Sequence, residues 1–204
     1  MPIVFGGVPA LPLVIVVVSI MSLALPGAGL AHQESDVPDR AAIRAATAPY
    51  RDVAAAEAAG YGWLPGRDGA ACIEDQGTGG QGVRYVNAVL VIEGALQSRR
   101  PQALLYAPDA DGGLRLVAVE YFVLQRDWDR RSPDPPVLFG QELALVPGGS
   151  RSGLPAAYLL RVWIWRDNPL GMFADWHPDI SCPWWFHPAR TEPPDHHAYA
   201  LPRV

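Results

Sequence analysis

The sequence contains no lysine, so the 16 basic residues among its 204 are all arginines. Without lysine the chain can form no Schiff base with a carbonyl substrate and no phosphate-binding loop of the GxxxxGK[ST] type. Its 21 acidic residues outnumber the arginines and give a formal net charge of −5. A negative balance without a basic cluster argues against nucleic acid as the main partner.

Sequence signatures of familiar catalytic sites are also missing. The stretch Gly149–Gly153 carries Arg151 where a GxSxG nucleophile elbow needs serine. There is no HExxH zinc motif, no glycine-rich dinucleotide fingerprint after a strand and no EF-hand loop. We therefore predict no cofactor and leave open whether the protein is an enzyme.

Charge is absent from the start of the chain, where the first acidic residue is Glu34 and the first basic residue is Arg40. The uncharged apolar run at residues 8–25 predicts an export signal. No basic residue precedes this run, and about 18 apolar residues can just span a bilayer. An uncleaved N-terminal membrane anchor is therefore the alternative.

Small residues follow the apolar run and predict a cleavage site. Gly29 and Ala31 fit positions −3 and −1 of a signal-peptidase site. Residues 1–31 are thus predicted to be a signal peptide whose removal leaves His32 at the new N-terminus. We expect a secreted or periplasmic protein that has no membrane contact after cleavage.

The sequence has only two cysteines, Cys72 and Cys182. In an oxidising compartment an isolated pair predicts a structural disulfide. It would close a loop of more than 100 residues. In the chain-entropy model such a closure stabilises the fold by about 4–5 kcal/mol. A catalytic thiol is the alternative, although neither cysteine has a CxxC partner.

The remaining chain predicts one globular α+β domain, residues 32–188, and a flexible tail, residues 189–204, rich in proline and histidine. No long helices alternate with the strand-like runs, so we expect an antiparallel sheet of about four to five strands. The runs are Val83–Glu93, Ala103–Ala107, Leu114–Leu124, Gln141–Val146 and Tyr158–Arg166.

An alanine-rich segment before the strands, residues 36–60, has the apolar spacing of a helix that would pack on the sheet. Asp36 is a candidate cap for its start. Pro49 predicts a kink, or two helices split near Thr47. The glycine-rich residues 60–82 are predicted to be a long loop pinned by the disulfide.

Three charged residues fall in strand positions where apolar residues are expected. Glu120 shares a strand face with apolar neighbours, and Arg84 and Arg161 do the same on two other strands. Burying one charge alone would be costly, so the economical arrangement is a single cluster on one face of the sheet. Two arginine forks can both pair with one carboxylate.

Three interpretations of these charges remain open. The cluster could be a buried ion network without chemistry, or an anion-binding pocket, since two arginines and one glutamate leave a net positive charge. A third is that one or more charges lie at a strand end in solvent. For the pocket we expect a small polar or anionic ligand and a lining of Tyr85, Asn87, Trp163 and Trp165.

A second polar concentration, Asp175, His177 and Asp179, offers three potential metal ligands, but the sequence has no HxH or HxxxH spacing. The alternative, which we favour, is a loop folded over one end of the core, so no metal site is predicted. A different metal site would use His32, as the N-terminal residue of a copper histidine brace, together with His177 or His187.

The chain resembles a group of uncharacterised exported bacterial proteins with no established activity. The resemblance rests on the stretches Ala45–Gly62, Gly82–Asn87, Val117–Phe122, Leu138–Gln141 and Val162–Cys182. It implies relatives with histidine in place of Arg84 and Arg161, which together with Glu120 would form a two-histidine, one-carboxylate metal site. Arginine does not bind metal, so a metal-dependent activity is in doubt for this chain.

Three functional hypotheses result. The first is a secreted domain that binds a small polar or anionic ligand around Arg84, Glu120 and Arg161. The second is a metal-assisted or acid–base enzyme that uses Glu120 and His177 to handle protons. The third is a surface interaction protein whose tryptophans face a partner.

Overall fold

The computed structural model describes Pro2 and residues 39–183 of the chain. Outside the described residues lie the predicted signal peptide apart from Pro2, the predicted tail, His32, the Asp36 cap and His187. No helix among residues 39–183 is long and apolar enough to cross a membrane.

The helical segment that precedes the sheet is split, as Pro49 predicts. Helix α1 (Arg40–Thr47) begins at Asp39, whose Oδ1 accepts a hydrogen bond of 3.0 Å from the amide of Ala42. A 3₁₀ turn (Ala48–Arg51) that contains Pro49 separates it from α2 (Val53–Ala58). Proline has no N–H to donate and crowds the preceding turn, so α1 ends before Pro49 and a new α-helix begins after the 3₁₀ turn.

The domain is built on an antiparallel sheet, which confirms the predicted α+β class and pairing. Among the described residues this sheet has seven strands, more than the predicted four to five, in the order β1-β3-β4-β5-β9-β8 with β2 also paired to β3. These strands are β1 (Tyr61–Trp63), β2 (Ile73–Asp75), β3 (Gly79–Asn87), β4 (Ala103–Pro108), β5 (Leu114–Leu124), β8 (Ala144–Val146) and β9 (Ala157–Val162). A separate hairpin consists of β6 (Val137–Leu138) and β7 (Gln141–Glu142).

Part of the glycine-rich segment 60–82, predicted to be a loop, is in fact strand, because β1, β2 and the start of β3 lie within it. Glycine is needed there for close packing. Gly79 has φ +107°, and a Cβ at this position would collide with the carbonyl group of His177. The backbones of Gly80 and His177 exchange two hydrogen bonds of 3.0 Å.

The predicted strand Val83–Glu93 is wrong beyond Asn87. Asn87 Oδ1 accepts hydrogen bonds from the amides of Val89 (3.1 Å) and Leu90 (3.3 Å), which caps helix α3 (Ala88–Glu93). Gly94, at φ +61°, ends that helix. Asparagine is a strong helix start signal, and here it outweighs the strand propensity of the valines. A further short helix, α4 (Gln125–Asp129), follows β5.

The two faces of the sheet are covered differently. One face packs on the helical segment through a large apolar cluster that includes Ile43, Ala56, Tyr85 and Tyr106. The other face carries two smaller apolar clusters and is covered by loops. One of these clusters contains Val86, Ala103, Phe122 and Leu159, and the other contains Leu105, Ala118, Trp163 and Ile180.

The segment that follows β9 returns over this second face and is fixed there. Trp163 Nε1 donates to the carbonyl oxygen of Ala174 at 2.7 Å. The predicted disulfide is confirmed: Cys72 and Cys182 are bonded, with a Cα–Cα distance of 5.6 Å. Hydrogen bonds hold the middle of this segment to the sheet, and the disulfide ties its end to the residue before β2.

Candidate functional site

Three neighbouring regions of the sheet bring Arg84, Glu120 and Arg161 together. Glu120 in β5 lies directly opposite Arg161 in β9, and Arg84 in β3 lies opposite Leu105 of the intervening strand β4. Alternation along each strand points all three side chains to the loop-covered face. They separate its two apolar clusters, since Glu120 stands between Ala118 and Phe122 along β5.

The three side chains form a closed ion network. Arg84 donates through Nε to Glu120 Oε2 at 2.7 Å and through Nη2 to Oε1 at 3.1 Å. Arg161 donates to the same Oε1 through Nε at 3.0 Å and through Nη2 at 2.6 Å. The side chains of Arg84 and Glu120 are 0 % exposed and that of Arg161 is 3 % exposed. The expected cluster is therefore present, and none of its charges stands in solvent.

Each arginine also holds one of the loops above the sheet. Arg84 Nη1 donates to the backbone carbonyl of Ser152 at 2.7 Å, in the loop 147–153, and its Nη2 donates to Gln81 Oε1 at 3.2 Å. Arg161 Nη1 donates to the backbone carbonyl of Asp175. Loop carbonyls thus accept hydrogen bonds from the guanidinium N–H groups that do not bond to Glu120.

Glu120 stays ionised in this setting. Burial raises the pKa of its carboxyl group, but the charges and hydrogen bonds of Arg84 and Arg161 outweigh burial and lower the pKa to about 2. With each carboxylate oxygen accepting from a guanidinium, Glu120 is poorly suited to take up or release a proton near neutral pH.

An open pocket of about 470 Å³ lies above the network. Arg84 and Arg161 form its floor, although both are almost completely buried. Its walls come from β2, β8, β9, the loop 147–153 and the segment after β9. The lining residues are Ile73, Asp75, Gln81, Arg84, Ala144, Leu145, Val146, Pro147, Ser150, Arg151, Ser152, Leu159, Arg161, Asp175 and Trp176.

The four residues predicted to line the site do not line this pocket. Tyr85 points to the opposite face, where its ring contacts Tyr106 at a centroid distance of 5.2 Å, and Asn87 caps a helix. Trp165 donates to Thr47 Oγ1 at 3.0 Å and lines a separate pocket of about 800 Å³. Trp163 shares the face of the network but is buried beneath the following loop.

His177 acts as a structural residue of the returning loop. Its Nδ1 accepts from the amide of Asp179 at 3.1 Å, so its Nε2, 3.1 Å from the carbonyl oxygen of Asp167, donates there. Burial lowers the pKa of the ring, which favours the neutral form. Both ring nitrogens are therefore engaged, and neither is free to shuttle a proton.

The three potential metal ligands Asp175, His177 and Asp179 do not form a cluster of ligands. Within residues 39–183 no three His, Cys, Asp or Glu side chains are arranged to hold a metal ion. Asp175 instead lines the pocket, while His177 and Asp179 interact with each other through the loop turn. The proposed brace at His32 lies outside the described residues and stays a prediction.

Comparison of the chain with protein-family models, curated proteins and solved structures gave no match. The resemblance to exported bacterial proteins therefore also stays a prediction. Fold and site define the class of protein as an α+β domain with a disulfide and a buried arginine–glutamate network beneath an open pocket.

Proposed function

We propose that this is a secreted domain that binds a small polar or anionic molecule in the pocket above Arg84, Glu120 and Arg161. The observation that carries the proposal is that two arginines which share a single carboxylate form the floor of one open pocket. The network keeps one positive charge, and that charge favours an oxyanion or a polar group nearby.

Unused donors support the same conclusion. Arg161 uses three of its five N–H groups on hydrogen bonds within the described part of the chain, and Arg84 uses four. A pocket volume of about 470 Å³ is within the range of small-molecule sites, about 300–1,000 Å³. The disulfide is consistent with an oxidising compartment and so supports export.

No specific observation favours either alternative function, enzyme or surface interaction protein. Acid–base catalysis would need a proton-accepting group, yet Glu120 is held ionised in two salt bridges and both nitrogens of His177 are hydrogen-bonded. The interaction hypothesis relied on exposed tryptophans, but Trp163 is buried and Trp165 packs against the helix-side core. Ligand binding is therefore the function we favour.

Thermal unfolding in the presence of small probes tests the proposal. Inorganic phosphate, 4-methylpentanoate and leucine would be added separately at matched ionic strength. A ligand at 100 times its Kd stabilises the folded state by about 2.7 kcal/mol, which raises Tm by several degrees. We expect at least one probe to produce such a rise.

A blocked variant and a matched control locate the effect. Ala144→Trp fills the pocket at β8 from a position outside the ion network, whereas Ala45→Trp places the same side chain on the exposed surface of α1. The Tm rise should disappear in the first variant and persist in the second. A wild-type protein that responds to none of the probes, or an Ala144→Trp variant that responds fully, would refute the proposal.

A further inference from the structure

The charges that line the pocket balance one another. Three arginines face two aspartates, and the carboxylate of Glu120 lies behind the floor, so the site has no net charge. A ligand that carried only a negative charge would offer no partner to the carboxylate of Asp175, which lies 3.8 Å from Arg161 Nη1. A ligand with one positive and one negative group would match both signs. The lining charges are those of Asp75, Arg84, Arg151, Arg161 and Asp175.

Arg151 is the accessible cation of this site. Its side chain is 68 % exposed, and its Nη1 donates to Asp75 Oδ1 at 2.9 Å and to the carbonyl of Glu74 at 3.4 Å. These bonds fix the guanidinium at the pocket while its Nε and Nη2 have no hydrogen-bond partner within residues 39–183. Two such donors form the fork that suits a carboxylate.

Asp175 is the accessible anion. Its side chain is 70 % exposed, and its Oδ1 lies 3.8 Å from Arg161 Nη1, which is too long for a hydrogen bond. Its backbone carbonyl, by contrast, accepts from the same guanidinium. The carboxylate therefore keeps acceptor capacity for an ammonium group.

The buried network gives these two groups a common support. Arg84 binds the carbonyl of Ser152, the residue next to Arg151, and Arg161 binds the carbonyl of Asp175. One glutamate thus links both loops that present an exposed charged side chain to the pocket. Arg84, Glu120 and Arg161 are positioning residues in this arrangement.

An apolar wall completes the site. Ala144, Val146 and Leu159 line the pocket, and the register of β8 on β9 puts their side chains on the face of the network. Covering such surface is favourable for a ligand with an aliphatic group. The ligand should therefore combine two opposite charges with an apolar side chain.

We infer that the ligand is an apolar α-amino acid in its zwitterionic form, an inference that rests on the proposed function. Its carboxylate pairs with Arg151, its ammonium group pairs with Asp175, and its side chain packs on the wall of Ala144, Val146 and Leu159. The pocket distinguishes this ligand from simple anions because it supplies a partner for each charge.

Titration calorimetry at pH 7 with four probes tests the inference on the full chain. Leucine carries both charges, 4-methylpentanoate lacks the ammonium group, 3-methylbutylamine lacks the carboxylate, and inorganic phosphate lacks the apolar group. A hydrogen bond to a charged partner contributes enough that its loss weakens binding about tenfold or more. We expect leucine to bind at least tenfold more tightly than each of the other three.

Two variants assign the charges. Arg151→Gln should weaken leucine and 4-methylpentanoate about tenfold and leave 3-methylbutylamine unchanged, whereas Asp175→Asn should weaken leucine and the amine but not 4-methylpentanoate. Arg130→Gln and Asp111→Asn, on exposed surface away from the pocket, serve as matched controls and should change nothing.

The outcomes separate this inference from the proposed function. If phosphate or 4-methylpentanoate binds as tightly as leucine, the proposal of a zwitterionic ligand is wrong, while the proposed binding of an anion stands. If leucine binds but neither Arg151→Gln nor Asp175→Asn weakens it, the assignment of the two charges is overturned. If none of the four probes binds, both the inference and the proposed function fail.

Discussion

The two faces of the same sheet follow different chemical rules. The face under the helices is apolar, and its polar atoms are tyrosine hydroxyls that reach backbone carbonyls, as when Tyr106 donates to Tyr50 at 2.6 Å and Tyr121 donates to Ser98 at 2.6 Å. The face under the loops buries two arginines and a glutamate.

The difference comes from what each cover can offer. Helices use most of their carbonyl groups internally, so they can accept little from a buried guanidinium. Loops have carbonyls to spare, and those of Ser152 and Asp175 accept from Arg84 and Arg161. The two buried arginines are therefore satisfied by loop carbonyls, and the same loops form walls of the pocket.

The largest expected effect is on the charged face. Glu120→Gln would leave two buried guanidiniums without their carboxylate, and breaking a buried ion pair costs about 3–5 kcal/mol. Glu93→Gln is the matched control, because Glu93 forms an exposed pair with Arg100 at 3.1 Å, and such pairs contribute about 1 kcal/mol or less.

Urea unfolding measures both variants. A loss of less than about 1 kcal/mol for Glu120→Gln would mean that the network is dispensable, since that is no more than an exposed pair contributes. The buried charges of the loop-covered face would then contribute no more to the free energy of unfolding than an exposed ion pair does.

The next effect is the pH dependence of the same face. Because the pKa of Glu120 falls from 4.5 to about 2 on folding, its contribution to stability is complete above pH 4.5 and is lost as the pH falls toward 2. Wild type should therefore lose more stability than Glu120→Gln between pH 5 and about pH 2. Parallel acid profiles for the two proteins would contradict this assignment.

The smallest effect belongs to the apolar face. Tyr106→Phe removes one hydroxyl and its 2.6 Å bond to the carbonyl of Tyr50, and a neutral hydrogen bond contributes about 0.5–1.5 kcal/mol. Chemical denaturation should show this modest loss with no change in its pH profile below pH 5, because a tyrosine does not titrate there. A loss as large as that of Glu120→Gln would remove the contrast between the faces.

Alternation of side chains was enough to predict part of the site. Glu120 and Arg161 each interrupt an apolar row, and the cost of burying them alone required a partner. Alternation cannot supply the register between strands, so the contact itself needed the structure. By the same alternation, Tyr85 and Asn87 fall on the face of the sheet opposite Arg84. Predicting them as lining residues followed their closeness to Arg84 in sequence, and the structure does not place them in the pocket.

The remaining errors have local causes. Strands β1 and β2 lie in a glycine-rich segment, and the low strand propensity of glycine predicted a loop there. Composition does not show that a glycine such as Gly79 is needed for close packing between backbones. The pocket walls at Arg151 and Asp175 lie in loops, where periodicity carries no information. The buried arginines hold both loops over the sheet through hydrogen bonds to the carbonyls of Ser152 and Asp175.

A titration of ¹⁵N-labelled protein with leucine, followed by amide chemical shifts, tests the central claim most directly. Ligand in the pocket should shift amides of residues 144–146, 150–152 and 175–176 and leave those of α1 and α2 unchanged. Shifts concentrated on the helical segment, or no saturable shifts at all, would contradict the claim that the loop-covered face binds a small ligand.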